Sequence, residues 1–385
     1  MKIDAFCILF CTIMDVDAAS SDDELDELTT AGEVLIEKIL AEEPLEDIQR
    51  LIADDAPLWY QNQMEGISCL HAAAYTQNYP LAKLLIENGA VWNAVDYLRN
   101  TAGDIALSFN NEELYNLIRD AGIRQEMLMG LLGSGSGGES ALVLRTVDDS
   151  AAASGDAFLQ SPLIYRKDEH GQDVCMVSVD GEEIGVMMGW ESNIMSSSVE
   201  RMSAGCEKKN GVHVLNVGFG LGIIDTLFQT LSPNLHVIVE AHPDVLKHMR
   251  ARGWYDKPGV KILEGRWQDF INEEKLASVV PEGGFDMVYT DSFSEDYTAL
   301  RNFFKYLPTL LGPSKNGSVF SFFNGLGATN PTIYDVATRI AELHLAELGF
   351  NVQWSDVDLC EQRNRWGESR PYFTCPTYRL PLVVN

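Results

Sequence analysis

The stretch Val214 to Thr226 reads VLNVGFGLGIIDT: apolar residues around one asparagine, then glycines at alternate positions, then a second apolar run. Few local structures accommodate this order. A strand ends where the glycines begin, because glycine takes left-handed dihedrals without strain, and a helix starts where the apolar period changes from 2 to 3.6. A strand that feeds a helix through so short a loop is half of a βαβ unit, which places successive strands in parallel. The chain after Val212 agrees. HVLNVG, HVIVEA, VKILEG, FDMVYTD and GSVFSFF read as strands. LGIIDTLFQTL, PDVLKHMRARG and PTIYDVATRIAELHLAELGF read as helices, the second with Pro243 in its first turn and Gly253 closing it. The predicted fold class is α/β, a Rossmann-like domain with a mostly parallel sheet and helices on both faces. Just upstream, DVCMVSVDGEEIGVMMGWE carries two alternating runs about Asp180-Gly181 and reads as a hairpin.

A glycine loop between strand and helix brings backbone N–H groups and the positive end of a helix to a ligand. The dinucleotide fingerprint is G-x-G-x-x-G, and its third glycine would fall on Ile223. Here the glycines are Gly218, Gly220 and Gly222, the form expected of S-adenosyl-L-methionine-dependent transferases; a dehydrogenase therefore ranks lowest. Glu240 ends the next apolar strand, where a carboxylate can accept both ribose hydroxyls. That acid supports a nucleoside without choosing between cofactors.

The N-terminal third is repetitive. LIADDA begins at Leu51, LIENGA at Leu85 and LIRDAG at Leu117, and Ser68 in GISCLHAAA aligns with Thr101 in TAGDIALSF. A period near 33 residues and the Ser68-Cys69-Leu70-His71-Ala72-Ala73 turn resemble ankyrin repeats. Such units cannot bury their apolar faces singly, so they stack. His71 then has a structural task, bonding backbone within its turn. The array is short, and its concave face is a candidate docking surface.

The formal charge of −29 argues against nucleic acid and anionic membranes. It suits either a basic protein partner or solubility alone. Seven scattered cysteines, none in CxxC spacing, indicate neither a disulfide framework nor zinc, and no metal is expected. The apolar run before Met14 is too short to span a bilayer and lacks a cleavage site, so residues 1–13 read as an upstream extension of a cytoplasmic protein. The domain reading is an acidic, disordered or solvated segment 1–30, repeats 31–128, a Gly/Ser/Ala-rich linker 129–157 and an α/β domain 158–385. Arg363, Arg365 and Arg370 beside Trp366 read as a surface loop with internal ion pairs.

Five stretches in this order, VMMGWESNIM, VLNVGFGLGI, VIVEAH, LEGRWQDF and FDMVYTDSF, resemble the guanidinoacetate N-methyltransferase pattern. The resemblance is closer to its ankyrin-bearing relatives, the type IV protein arginine N5-methyltransferases, and covers nearly the whole chain. It implies a class I methyltransferase domain with S-adenosyl-L-methionine as cofactor. It further implies that Gly218, Phe219, Gly220, Leu221, Gly222 and Ile223 cradle the amino-acid part and ribose, and that Glu240, Ala241 and His242 hold the ribose and adenine edge. Gly265 and Arg266 would flank the adenine, Met187 and Met195 line the pocket, and Tyr165 stands at the lid aromatic. The acceptor would be an arginine of a basic protein, a ribosomal one by the family's habit, and the enzyme a monomer of cytoplasm and nucleus.

Asn216 departs from the pattern, standing where many methyltransferases carry an acid; Asp291 is the candidate to take over its contact to the cofactor's amino group. Glu191 and Asp291 match the positions that face the guanidino group. A guanidinium is permanently protonated and poorly nucleophilic, so its site should hold carboxylates that grip the planar fork and accept a proton. Taken without the resemblance, Glu191 reads as an exposed helix-start acid and Asp291 as a cap of the following helix. Two other functions remain open at this point: a small-molecule guanidino methyltransferase, and a catalytically dead ankyrin adaptor.

Overall fold

The computed structural model describes residues 21–133, 155–179, 182–293, 296–312, 317–360 and 371–384. The chain divides into two compact units, one up to Gln125 and one from Glu126 on. Residues 1–20 (with Met14), most of the Gly/Ser linker, Asp180-Gly181 and the loop holding Arg363, Arg365, Trp366 and Arg370 lie outside the described residues.

The first unit is helical: α1 (Ser21–Leu40), α2 (Leu45–Ala53), α3 (Cys69–Tyr75), α4 (Tyr79–Glu87), α5 (Ala102–Ser108) and α6 (Glu112–Gly133), the last running into the second unit. Residues 21–30, set apart in the sequence by their acidity, are the first turns of α1. The 33-residue period has a local cause. Ser68 and Thr101 are equivalent N-caps, each closing a capping box with the residue three positions on, His71 and Asp104 respectively. His71 is fully buried: Nδ1 accepts the Ser68 N–H at 3.1 Å and Nε2 lies 3.0 Å from the Asn100 carbonyl, so the ring bolts one repeat to the next.

The second unit opens with α7 (Gly155–Gln160) and an antiparallel three-stranded sheet, β1 (Leu163–Lys167), β2 (Asp173–Val179) and β3 (Glu182–Met188). β2 and β3 pair as the hairpin that the alternating runs predict, with a bulge between Cys175 and Met176. Gly189–Glu191 forms a single 3-10 turn that leads into α8 (Ser192–Gly205).

The main sheet comprises β4 (His213–Val217), β5 (Leu235–Glu240), β6 (Val260–Glu264), β7 (Met287–Thr290), β8 (Val319–Phe322), β9 (Asn351–Asp358) and β10 (Thr377–Val384). Their order is β6-β5-β4-β7-β8-β10-β9, with β10 alone running against the rest. Helices α9 (Ile223–Thr230), α10 (Pro243–Ala251) and α14 (Pro331–Glu347) follow β4, β5 and β8. Two short helices after β6 and β7 are α11 (Leu276–Val279) and α12 (Tyr297–Phe304); α13 (Leu307–Leu310) precedes β8. The central strands are buried on both faces, as a parallel sheet covered by helices requires. From β4 the chain turns outward to β5 and β6, then returns to the other side of β4 as β7. Strand order reverses there, and the crevice beyond the carboxyl ends of β4 and β7 is where open α/β sheets take ligands.

Candidate active site

The crevice is shaped first by backbone. After β4, Gly218 adopts φ +90°, and a Cβ there would sit 1.9 Å from the Asp291 carbonyl oxygen. Only glycine lets the loop press against the end of β7. Both partners are held: the Gly218 N–H donates to the Val239 carbonyl and the Asp291 N–H to the Val217 carbonyl, each at 2.9 Å.

The next strand supplies Glu240. Its buried carboxylate accepts the Phe219 N–H at 2.9 Å and the His242 N–H at 2.7 Å. Burial raises its pKa, and these loop amides partly offset that rise. The glycine loop is thus wrapped around the acid that the sequence assigns to the ribose. Met187, on β3, approaches Gly220. Tyr165 shares a cluster with Met187, Leu221 and Phe293, and its ring stacks on His248 at 4.1 Å.

Other expected contact residues have structural ties. The His242 ring caps α10 by accepting the Asp244 N–H, and its Nε2 lies 3.1 and 3.0 Å from the Phe158 and Ser161 carbonyls. Met195 is in the core, where its sulfur accepts the Tyr289 hydroxyl at 3.4 Å. Gly265 donates to the Glu240 carbonyl at 2.8 Å, so the end of β6 lies beside Glu240, and the exposed Arg266 pairs with Asp156.

The acid pair comes from two separate elements. Glu191 ends the 3-10 turn at the start of α8, yet its side chain makes no capping bond. It is turned inward and accepts a hydrogen bond from the Tyr372 hydroxyl. Asp291 sits one residue past β7, and the following helix is capped instead by Asp296, whose carboxylate accepts the Ala299 N–H at 3.0 Å. Neither acid does the structural work that its position alone suggests. Burial holds both carboxyls well above the ordinary carboxylate range, and the charge of Asp291 raises Glu191 further; the Tyr372 hydroxyl and the Met188 backbone pull it partly back. At neutral pH the pair resists full ionisation.

Two side chains that touch the expected site residues escape sequence reasoning. Tyr372, 181 residues from Glu191, comes from the end of the stretch read as a surface loop; it packs beside Trp190 at 5.9 Å between ring centroids, and nothing local in sequence announces that. Asp225 supplies the buried acid that Asn216 lacks: the Asn216 Nδ2 is 2.9 Å from each of its oxygens. A polar residue on the apolar stripe of α9, three positions before Phe228, is the signal that could have found it.

The residues fit an S-adenosyl-L-methionine-sized ligand on three observations. A glycine loop opens onto a helix start, an acid lies beside it at the end of the neighbouring strand, and the Asn216 Oδ1 is buried without a protein hydrogen-bond partner among the described residues. No described helix is long and apolar enough to cross a membrane.

Residues 175–329 match the guanidinoacetate N-methyltransferase family, and residues 70–117 match the ankyrin repeat family. Among curated proteins the chain is similar to protein arginine N-methyltransferase 2 of Cryptococcus neoformans, with 39% identity over 96% of this chain and 99% of that protein. The protein of the same name from Emericella nidulans is 36% identical over 78% of this chain and 76% of its own length. That from Saccharomyces cerevisiae is 35% identical over 79% and 77%. Full-length similarity and the two family matches agree: the chain belongs to the protein arginine N-methyltransferase 2 family.

Proposed function

We propose that the protein transfers a methyl group from S-adenosyl-L-methionine to the δ (N5) nitrogen of an arginine in a basic protein. The observation that carries this reading is the Glu191–Asp291 pair: Glu191 is buried, turned inward onto the Tyr372 hydroxyl and close enough to the half-buried Asp291 for that charge to push its carboxyl up. A guanidinium is the complementary guest: always charged, planar, and rich in donors. Its arrival lets both acids ionise, and it gains charge-assisted hydrogen bonds in return.

S-Adenosyl-L-methionine would supply an electrophilic methyl on a sulfonium, the S–CH3 bond breaking to leave a neutral thioether. The chain would hold it with the backbone of Gly218 to Ile223, with Glu240, Ala241 and His242 at the nucleoside, and with Gly265, Arg266, Met187, Met195 and Tyr165 around it. Glu191, steadied by Tyr372, grips the terminal guanidino nitrogens and leaves the δ-nitrogen toward the crevice. That nitrogen exchanges an N–H for an N–CH3 bond, so one proton must leave, and Asp291 takes it. Holding the two reactants in line and dry supplies most of the acceleration.

The repeat unit supports a basic protein as acceptor. Residues 21–125 carry 20 acidic against 6 basic side chains. The adjacent repeat tips expose Met64 and Leu98 (86% and 80%) beside Tyr97, whose N–H donates to the Glu65 carbonyl at 2.9 Å. A ribosomal protein as acceptor, a monomeric state and a cytoplasmic and nuclear location follow from family resemblance. Incubation with labelled donor and either a basic-protein extract or guanidinoacetate tests the reading. Label in protein arginine supports it; label in guanidinoacetate alone means a small-molecule enzyme, and failure to bind the donor means an adaptor.

A further inference from the structure

We infer that Asp225 is a positioning residue: acting through Asn216, it fixes the shape of the glycine loop for the donor. This rests on the donor-binding reading above. The Asn216 Nδ2 donates to the Gly218 carbonyl at 2.8 Å and lies 2.9 Å from both oxygens of Asp225. Asp225 Oδ1 is 3.0 Å from the Nε2 of His236, and the Nδ1 of His236 is 2.9 Å from the Gln229 amide. Asn216, Asp225 and His236 are all fully buried.

Chemistry dictates how this network is arranged. The Gly218 carbonyl and the Asp225 carboxylate are acceptors only, so the group between them must be a donor, and the amide nitrogen of Asn216 must face them. An acid at position 216 would gather three acceptors in a buried space, which is costly. The departure at Asn216 and the acid at Asp225 are therefore one feature: the negative charge has moved from the strand end to the first turn of α9, where the helix dipole favours it. The result is mechanical. Gly218 is pinned through its carbonyl by Asn216 and through its N–H by Val239. The loop amides that would meet the donor are set from below.

Exchanging the two residues separates this role from a merely structural one. The double variant Asn216→Asp with Asp225→Asn keeps one acid facing one amide but leaves the Gly218 carbonyl without its donor. The single variant Asn216→Asp sets two carboxylates against each other. The single variant should melt well below the wild type, and the double should recover to within about 2 °C. Donor affinity should not recover: calorimetry with S-adenosyl-L-methionine should show Kd weakened about tenfold or more in the double variant, roughly 1.4 kcal/mol. Amide exchange of residues 218–223 in the donor-free protein should also be faster. Recovery of Kd along with the melting temperature would overturn the inference and leave the network a simple buried pair. If the double variant does not fold, Asp225→Asn alone decides: a weakened Kd supports the inference and an unchanged one refutes it. Absence of donor binding by the wild type would remove the underlying reading as well.

Discussion

Replacing Glu191 by Gln isolates the acid pair at nearly constant shape. The amide keeps an oxygen for the Tyr372 hydroxyl and removes one buried charge from beside Asp291. Two effects of opposite sign follow. For stability, the folded carboxyls have raised pKa values, so the folded state binds more protons than the unfolded one. The pair's contribution is most favourable below the unfolded carboxylate pKa of about 4 and is lost as pH rises through the raised folded values. At pH 8 the wild type therefore carries a buried charge that no cation among the described residues offsets, costing on the order of 2 kcal/mol. Removing it should raise the melting temperature of the second unit by about 4–8 °C, from roughly 2–4 °C per kcal/mol. The gain should fade toward pH 4, where wild-type Glu191 is protonated. For catalysis, the lost charge-assisted bonds to the guanidinium are worth about 3 kcal/mol, or roughly a 100-fold fall in kcat/KM. Donor affinity by calorimetry should stay within about twofold, because no donor contact is removed. A variant that melts lower at pH 8, or turns over at wild-type rate, would refute the placement of Glu191 as a buried acid with no cation beside it among the described residues.

Gly218→Ala should destabilise the second unit by about 3 kcal/mol, since its Cβ meets the Asp291 carbonyl at 1.9 Å, whereas Gly253→Ala, at φ +70° with open space around it, should cost only about 1 kcal/mol; equal losses in thermal melts would contradict the close approach. Tyr372→Phe removes the bond that holds the Glu191 pKa down, so the acidic limb of the kcat/KM profile should move to higher pH, and an unmoved limb would deny the contact a role. Changing Met64, Tyr97 and Leu98 together to Ser should raise KM for a whole basic protein about tenfold without changing that for a short arginine peptide; parallel changes would exclude the repeat tips from docking.

The main sheet was legible because its strands and helices differ in period and because Pro243 and Gly253 mark a helix at both ends. The repeats were legible from a chemical rhyme: Ser68 and Thr101 cap equivalent helices, and His71 bonds the backbone as its turn demands. Site geometry was harder. Whether Glu191 caps a helix or turns inward is decided by Tyr372, which only folding brings near. His242 marked a nucleoside edge, yet the residue before Pro243 is also an N-cap, and the ring serves that purpose here. Asn216 announced a missing acid but not its replacement, because the pairing with Asp225 depends on how a loop of three glycines folds back.

The most direct test of the account is the identity of the modified nitrogen. Protein acceptor treated with the enzyme and S-adenosyl-L-methionine should be hydrolysed, and its methylarginine fragmented in a mass spectrometer, with Glu191→Gln as control. The account expects δ-monomethylarginine from the wild type and essentially none from the variant. Product methylated on a terminal nitrogen, or equal product from both proteins, would contradict an acid pair that seizes the guanidinium's outer nitrogens and offers the inner one.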